Sequence, residues 1–403
     1  MKQAAESVAS AGRAVGPWRA TLAGLCASLV GIGLARFAYT PLIPALIEGG
    51  WFGPSEAVYL GAANLVGYLA GALGARPLAA RAPSANVLRA MMLLATASFF
   101  ACAGPLPFLW VLLWRFLSGL SGGVLMVLAA PSVLPLVPAH RLGLAGGLIF
   151  TGVGLGIAAS GTLVPLMLRL GLVETWLCFG LLSLLLTAVA WRGWPEDPPR
   201  PAASEGAGTV WRRPTVGPLL IVLAIGYGLD AAGVVPHMVF LVDYIARGLG
   251  QGLGIGSGYW VVFGFGAMLG PVAAGMAADR IGFAAALRGA YLLQALCVGW
   301  LAFADGWLAL LLSSLIVGAF VPGVVPLALG RVRELLPDDR QAQTAAWGRV
   351  TAAFALGQAA SAAGLSGLYD LTGSYALLFA LGAGALFLAL ALDLAMTAVR
   401  ARR

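Results

Sequence analysis

The chain has 403 residues, 60% of them apolar and only 10% charged. A water-soluble domain carries about 25% charged residues, so water is excluded as the solvent for most of this surface. The formal net charge is +8, yet the basic residues do not gather on one soluble module, which excludes a nucleic-acid binder.

Twelve apolar runs follow one another: Trp18–Ile47, Glu56–Ala80, Leu88–Pro105, Leu109–Val137, Leu142–Leu170 and Thr175–Trp191, then Val216–Ala246, Gly252–Ala278, Ala284–Ala304, Trp307–Leu336, Gln341–Tyr369 and Tyr375–Ala398. Each has at least the roughly 17 residues that a helix needs to cross a bilayer. The first run follows a polar stretch with no small-residue cleavage site and reads as an uncleaved helix. Cys26, Cys102, Cys178 and Cys297 all fall inside apolar runs, as small core residues do, rather than in disulfide or metal-ligand spacing.

The break at 194–215, WPEDPPRPAASEGAGTVWRRPT, is rich in Pro, Gly and charge and reads as an extended linker. The expected organisation is a tail (1–17), a six-helix bundle (18–193), the linker (194–215), a second six-helix bundle (216–398) and a short tail (399–403). Of the 24 Lys and Arg residues, 19 fall on the linker, the tails and the loops of the same side, two (Arg169, Arg247) on the other side, and three (Arg36, Arg115, Arg349) within helices. Basic loops stay in the cytoplasm, so both termini and the linker are expected there.

The two halves repeat one another. GIGLARFAYTP (Gly31 to Pro41) aligns without a gap on GYGLDAAGVVP (Gly226 to Pro236). The links after the second and eighth runs both begin Ala-Gly, keep an Arg (Arg76, Arg280) five residues after that Gly, and end Leu-Arg at Arg89 and Arg288. Leu155-Gly-Ile-Ala-Ala-Ser160 matches Leu356-Gly-Gln-Ala-Ala-Ser361. Three matches in one order indicate a duplicated six-helix unit.

Gly275-Met-Ala-Ala-Asp279-Arg280-Ile-Gly282, with Arg288 beyond, resembles the G-x-x-x-D-R-x-G-R-R loop of the major facilitator superfamily. Arg115-Phe-Leu-Ser-Gly119 resembles its R-x-x-x-G motif, and the Gly-rich run from Gly143 to Gly161 a third motif. Within the superfamily, GIGLARFAYTPLIP and YLGAANLVGYLAGAL resemble the bacterial YbfB/YjiJ group. The resemblance covers the whole chain, with one departure: Ala75 stands where the first-half loop usually has Asp. It implies an all-α membrane protein with twelve transmembrane helices in two pseudo-symmetric bundles, working by alternating access in a bacterial inner membrane.

Charges within a span are costly and therefore mark candidate sites. Arg36 and Asp230 lie in the first and seventh runs, which face each other across the superfamily's central cavity, and they could pair when it is empty. His237 lies two helical turns beyond Asp230 and could extend a proton path. By the resemblance, Arg115 joins Asp230 and His237 in proton coupling. Tyr39, Asn64, Tyr68, Tyr227, Tyr259, Gln294 and Gln358 are the polar candidates for lining a substrate cavity with Arg36. Gly275, Asp279, Arg280, Gly282, Arg288 and Arg76 form the expected gate on the cytoplasmic side, where Asp279 could cap a helix or pair with Arg. Arg349 reads as a snorkelling residue. The glycines from Gly152 to Gly161 have no strand before them and read as helix-packing positions, not a phosphate loop.

The expected function is proton-coupled secondary transport of a small anionic or zwitterionic solute, by a monomer in the bilayer. Arg36, Arg115 and Asp230 leave the mid-membrane balance at +1, which favours an anion. The rivals are proton-driven efflux of hydrophobic or cationic drugs and a non-transporting receptor or assembly factor on the same fold. No nucleophile–base pair, metal-ligand spacing or nucleotide-binding module appears, so neither an enzyme, a metal nor a cofactor is expected. For topology, single cysteines at Ser204 and Gly50 should label from opposite sides of the membrane in intact cells and inverted vesicles. Labelling of both from one side would reject the orientation.

Overall fold

The computed structural model describes residues 15–195, 210–337 and 339–401, and all its regular structure is helical. Most of the predicted linker, the tail up to residue 14 and the last two residues lie outside the described residues, as do the charges counted on them. Twelve long helices run in chain order. They are α1 (Pro17–Phe37), α2 (Pro54–Arg81), α3 (Ser84–Ala101), α4 (Phe108–Val133), α5 (Leu142–Leu168) and α6 (Leu172–Ala190), then α7 (Gly217–Gly248), α8 (Leu253–Ile281), α9 (Phe283–Trp300), α10 (Trp307–Leu335), α11 (Arg340–Thr372) and α12 (Tyr375–Ala401). Their order matches the twelve apolar runs, and the ends differ by a few residues.

Eleven of the twelve are long and apolar enough by composition to cross a membrane; α11 is not among them. It is 33 residues long but rich in Ala, Gly, Gln and Thr. Its polar Gln343, Thr351 and Gln358 are buried against neighbouring helices, so the bilayer does not meet them.

The first apolar run is not wound uniformly, as its prolines Pro41 and Pro44 lead one to expect. Pro17–Ser28 is α-helical, Leu29–Phe37 is wound as a π-helix, and a separate helix, Leu42–Glu48, follows a turn. Pro41 and Pro44 each lack an N–H for the ladder, which explains the break after Phe37. The repeat of this segment in α7 behaves alike: the α-helix Gly217–Gly233 gives way to π-helical turns at Pro236–Phe240 and Tyr244–Gly248. Both irregular stretches begin close to the candidate charges.

In the first half α2 packs on α4, α1 lies against α4 and α5, and α3 lies against α4 and α6. In the second half α8 packs on α10, α7 on α11 and α12, and α9 on α10 and α12. The halves meet chiefly through α5 on α8 and α2 on α11. Between lipid-soluble helices there is no hydrophobic force, so close backbone approach must supply the contact. The α5–α8 seam does so with glycine: a Cβ on Gly154 would lie 1.8 Å from the Ala267 carbonyl oxygen, and one on Gly147 2.3 Å from that of Pro271. Gly152 and Gly156 instead press on Leu25 and Gly33 of α1.

Gly154→Ala should therefore push α5 and α8 apart, at a cost of about 1–3 kcal/mol. Gly364→Ala, whose Cβ would meet nothing within 4 Å, is the control. Thermal unfolding in detergent should show a lower midpoint for the first and no change for the second. Equal midpoints would contradict the seam.

Candidate functional site

Arg115 on α4 is 2% exposed. Its Nη1 donates to the Ala35 carbonyl at 2.8 Å, where α1 is π-wound, and its guanidinium sits 4.0 Å from the centre of the Tyr39 ring. Tyr39 is held in turn by its hydroxyl, which donates to the Ala57 carbonyl at 2.8 Å. The Asn64 amide donates to the Arg115 carbonyl at 3.3 Å. Tyr39 and Asn64, predicted as cavity polar groups, thus belong to the Arg115 cluster inside the first half. The Nε of Arg115 has no partner among the described residues.

Arg36 occupies the interface between the halves. Its Nη2 donates to Gln358 Oε1 on α11, and the Gln358 amide nitrogen donates to Met238 Sδ on α7 at 3.2 Å. The rings of Phe37 and Tyr68 lie 5.3 and 5.7 Å from the guanidinium carbon. Below this contact Tyr227 packs 4.6 Å from Phe354 and 6.0 Å from Trp347, ring centre to ring centre. Trp347 crosses to the first half and donates its indole N–H to the Met126 carbonyl at 3.0 Å. The structure therefore brings together Arg36, Tyr68, Tyr227 and Gln358 from the predicted set. Trp347 and Phe354 complete this cluster, although an aromatic side chain in a buried helix gives no polar signal in the sequence. Tyr259 sits elsewhere, near the end of α8 away from the termini, with its hydroxyl 3.5 Å from the Trp307 carbonyl.

Asp230 does not meet Arg36. It is 1% exposed and accepts a hydrogen bond from Gln294 Nε2 of α9 at 2.8 Å. The repeat explains this. Asp230 aligns with Ala35, not with Arg36, and one residue turns a helical side chain by about 100°. Ala35 is fully buried within its own half, and Asp230 likewise points into the second bundle. Gln294, predicted as a cavity residue, serves as the partner of this carboxylate. Gln294 Oε1 and Tyr291 Oη on the same helix have no partner among the described residues. His237, fully buried, shares a hydrogen bond of 2.6 Å with Ser313 Oγ of α10, which donates to the Cys297 carbonyl at 2.7 Å. The edge of its ring meets Phe379 of α12. The α-helix ends at Gly233 and His237 lies in the π-helical turn Pro236–Phe240, so Asp230 and His237 reach different neighbours.

On the face carrying the chain ends, Asp279 of α8 reaches across to α5. Its two carboxylate oxygens accept the N–H groups of Gly143 and Leu144 at 2.7 and 2.9 Å. These are orphan donors of the first turn of α5, where the helix dipole also favours a negative charge. Gly143 and Gly275 make room: a Cβ on either would come within 2.1 Å of the other's carbonyl oxygen. Gly282 ends α8 with φ +84°, a conformation that favours glycine. Arg280 and Arg76 are exposed. Arg288 pairs with Asp393 of α12 at 2.5 Å and bonds Thr397 at 2.6 Å. The lock is one-sided. Ala75, the counterpart of Asp279, offers no carboxylate, and α11 is capped by its own Asp339, which accepts the Ala342 N–H at 2.8 Å. The Asp three residues before Ala342 was a readable capping signal in the sequence. As expected of a snorkelling residue, Arg349 is exposed; its guanidinium lies over the Trp211 ring.

Residues 28–394 match the family described as "Uncharacterised MFS-type transporter YbfB". The chain belongs to this family of major facilitator superfamily (MFS) transporters. Among curated proteins no sequence matches. Solved structures match over nearly the whole chain. The human organic anion transporter MFSD10 (TETRAN) is 18% identical with a TM-score of 0.76, covering 94% of this chain and 99% of its own. A bacterial homologue of the iron transporter ferroportin, in an outward-facing state, is 14% identical with a TM-score of 0.72, covering 94% and 98%. The proton:xylose symporter XylE is 15% identical with a TM-score of 0.71, covering 93% and 94%. At such identities the likeness shows the fold, the twelve-helix MFS fold that the resemblance in the sequence implies.

The Asp279 cap joins the two halves, which alternating access would have to part. Asp279→Asn removes the charge facing the α5 dipole, an interaction of about 0.3–2 kcal/mol. A cysteine at Thr351, buried between the halves, should then label several-fold faster from the termini face, while expression stays near normal. An unchanged labelling rate would reduce the motif to a topology signal.

Proposed function

We propose that this MFS transporter moves a small organic anion, with Arg36 as the anchor of its negative group and Asp230 as the carrier of the coupled proton. The observation that carries this reading is charge without counter-charge. Arg36 and Arg115 both lie mid-membrane, and among the described residues neither has a carboxylate partner; their ligands are an amide, a carbonyl and aromatic rings. A cation kept in a dry interior without an acid is costly. An incoming carboxylate or similar anion repays that cost by replacing Gln358 on Arg36.

The same placement favours the anion over a zwitterion or a cationic drug. Either of the latter needs an acid facing the interface, and Asp230 is turned into the second bundle. Its side-chain partner is the neutral Gln294, so no neighbouring cation fixes its charge, as a proton carrier requires. Phe37 and Tyr68 beside the Arg36 guanidinium would receive an apolar or planar body on the solute. The chain would work as a monomer in a bacterial inner membrane; its basic loops favour placing both termini in the cytoplasm.

Transport assays in proteoliposomes test the two roles separately. Asp230→Asn cannot release a proton, so uphill accumulation should vanish while counterflow exchange of the solute persists. Arg36→Ala removes the anchor, and both activities should fall together, with affinity weakened more than about thirtyfold. Well-folded variants that both keep uphill transport would overturn the assignment.

A further inference from the structure

A groove of about 530 Å³ opens on the outside of the first bundle, between the termini ends of α1, α3 and α6. All of its lining residues belong to the first bundle. Its rim carries Arg19 and Arg192, both exposed. A third guanidinium stands beside it: Arg89 lies 5.5 Å from the Trp191 ring and donates its Nε to the Trp191 carbonyl at 2.9 Å. None of the ion pairs among the described residues involves these three arginines.

The walls are apolar. Leu93 and Leu184 are 42% and 45% exposed, and in a membrane protein that exposure is to lipid. Leu93 lies nine residues along α3 from Ser84 and Leu184 six residues before Ala190, the end of α6. At 1.5 Å per residue the groove runs about 9–14 Å into the bilayer from its basic rim. Trp191, 40% exposed at the rim, sits where amphipathic rings favour the headgroup level.

We infer that this groove is a binding site for an anionic phospholipid of the leaflet on the termini side: its phosphate lies between Arg19 and Arg192, and its glycerol and upper acyl chains lie along Leu93 and Leu184. Charge complementarity selects the lipid. Three guanidiniums without an acid suit a headgroup that keeps a net negative charge, and a zwitterionic headgroup would bring its own cation against them. The volume falls within the range of about 300–1,000 Å³ typical of small-ligand sites. The continuous apolar wall distinguishes a lipid from a soluble phosphate, which has nothing to place there.

The test is native mass spectrometry of the full-length protein in detergent, titrated with phosphatidylglycerol or with phosphatidylcholine. Phosphatidylglycerol should be retained in preference. Each arginine removed should weaken its retention about fivefold, so Arg19→Ala/Arg192→Ala should weaken it about 25-fold. Arg212→Ala, the control, should leave it unchanged. Both rim residues are exposed, so thermal unfolding without added lipid should not change. Glycerol 3-phosphate at millimolar concentration should not displace the lipid. Equal retention of the two lipids, unchanged retention by the double variant, or displacement by glycerol 3-phosphate would each overturn the inference. None of these readouts depends on transport, so the lipid site and the solute site stand or fall separately.

Discussion

The hydrocarbon core offers no water, and most of the architecture follows from that one constraint. Every backbone group must be bonded within its own helix, so only helices cross, and their contacts come from close backbone approach rather than from hydrophobic burial. The glycine seam of α5 on α8 is one consequence. The treatment of the few charged groups is another: each is satisfied by whatever polar atom the protein can place beside it. Arg115 takes a carbonyl and an aromatic ring, Arg36 takes an amide, and Asp230 takes another amide.

Those choices divide the labour between the halves. The first bundle holds the positive charge, and Arg36 presents part of it to the interface. The second bundle holds the buried carboxylate and the imidazole inside itself, away from that interface. A solute at Arg36 and a proton at Asp230 would therefore occupy different places, and α7 and α11 connect them: Met238 and Asp230 share α7, while Gln358 touches both Arg36 and Met238. Loss of the Gln358–Arg36 bond to an incoming anion would act directly on the irregular part of α7. On the proposed reading, coupling would run through a change in helix packing and not through a direct ion pair between solute and carrier.

The cytoplasmic-type loop motif shows how a duplicated fold becomes asymmetric. One copy keeps Asp279, which caps a helix of the opposite half; the other has Ala75 there, and α11 is capped from its own chain by Asp339. A bond across the halves would have to break if the halves part during transport, whereas a cap within one half need not. The departure at Ala75 thus leaves one such cap across the halves among the described residues.

The number and order of the helices were legible in the sequence, because a span must be long and apolar and its periodicity is local. The duplication was legible as well, since GIGLARFAYTP and GYGLDAAGVVP align residue for residue. Even the direction of Asp230 was contained in that alignment through its register with Ala35, although the charge on Arg36 next to it suggested a pair. What the sequence could not decide is which groups meet. Gln358 on Arg36, Gln294 on Asp230, Trp347 on the Met126 carbonyl and Asp279 on the start of α5 join residues 64 to 322 positions apart. Such contacts depend on the rotation of each helix about its axis, which changes by about 100° per residue and is set by packing against neighbours. Composition and spacing specify that a helix crosses the membrane; only the tertiary structure specifies which way each of its side chains faces.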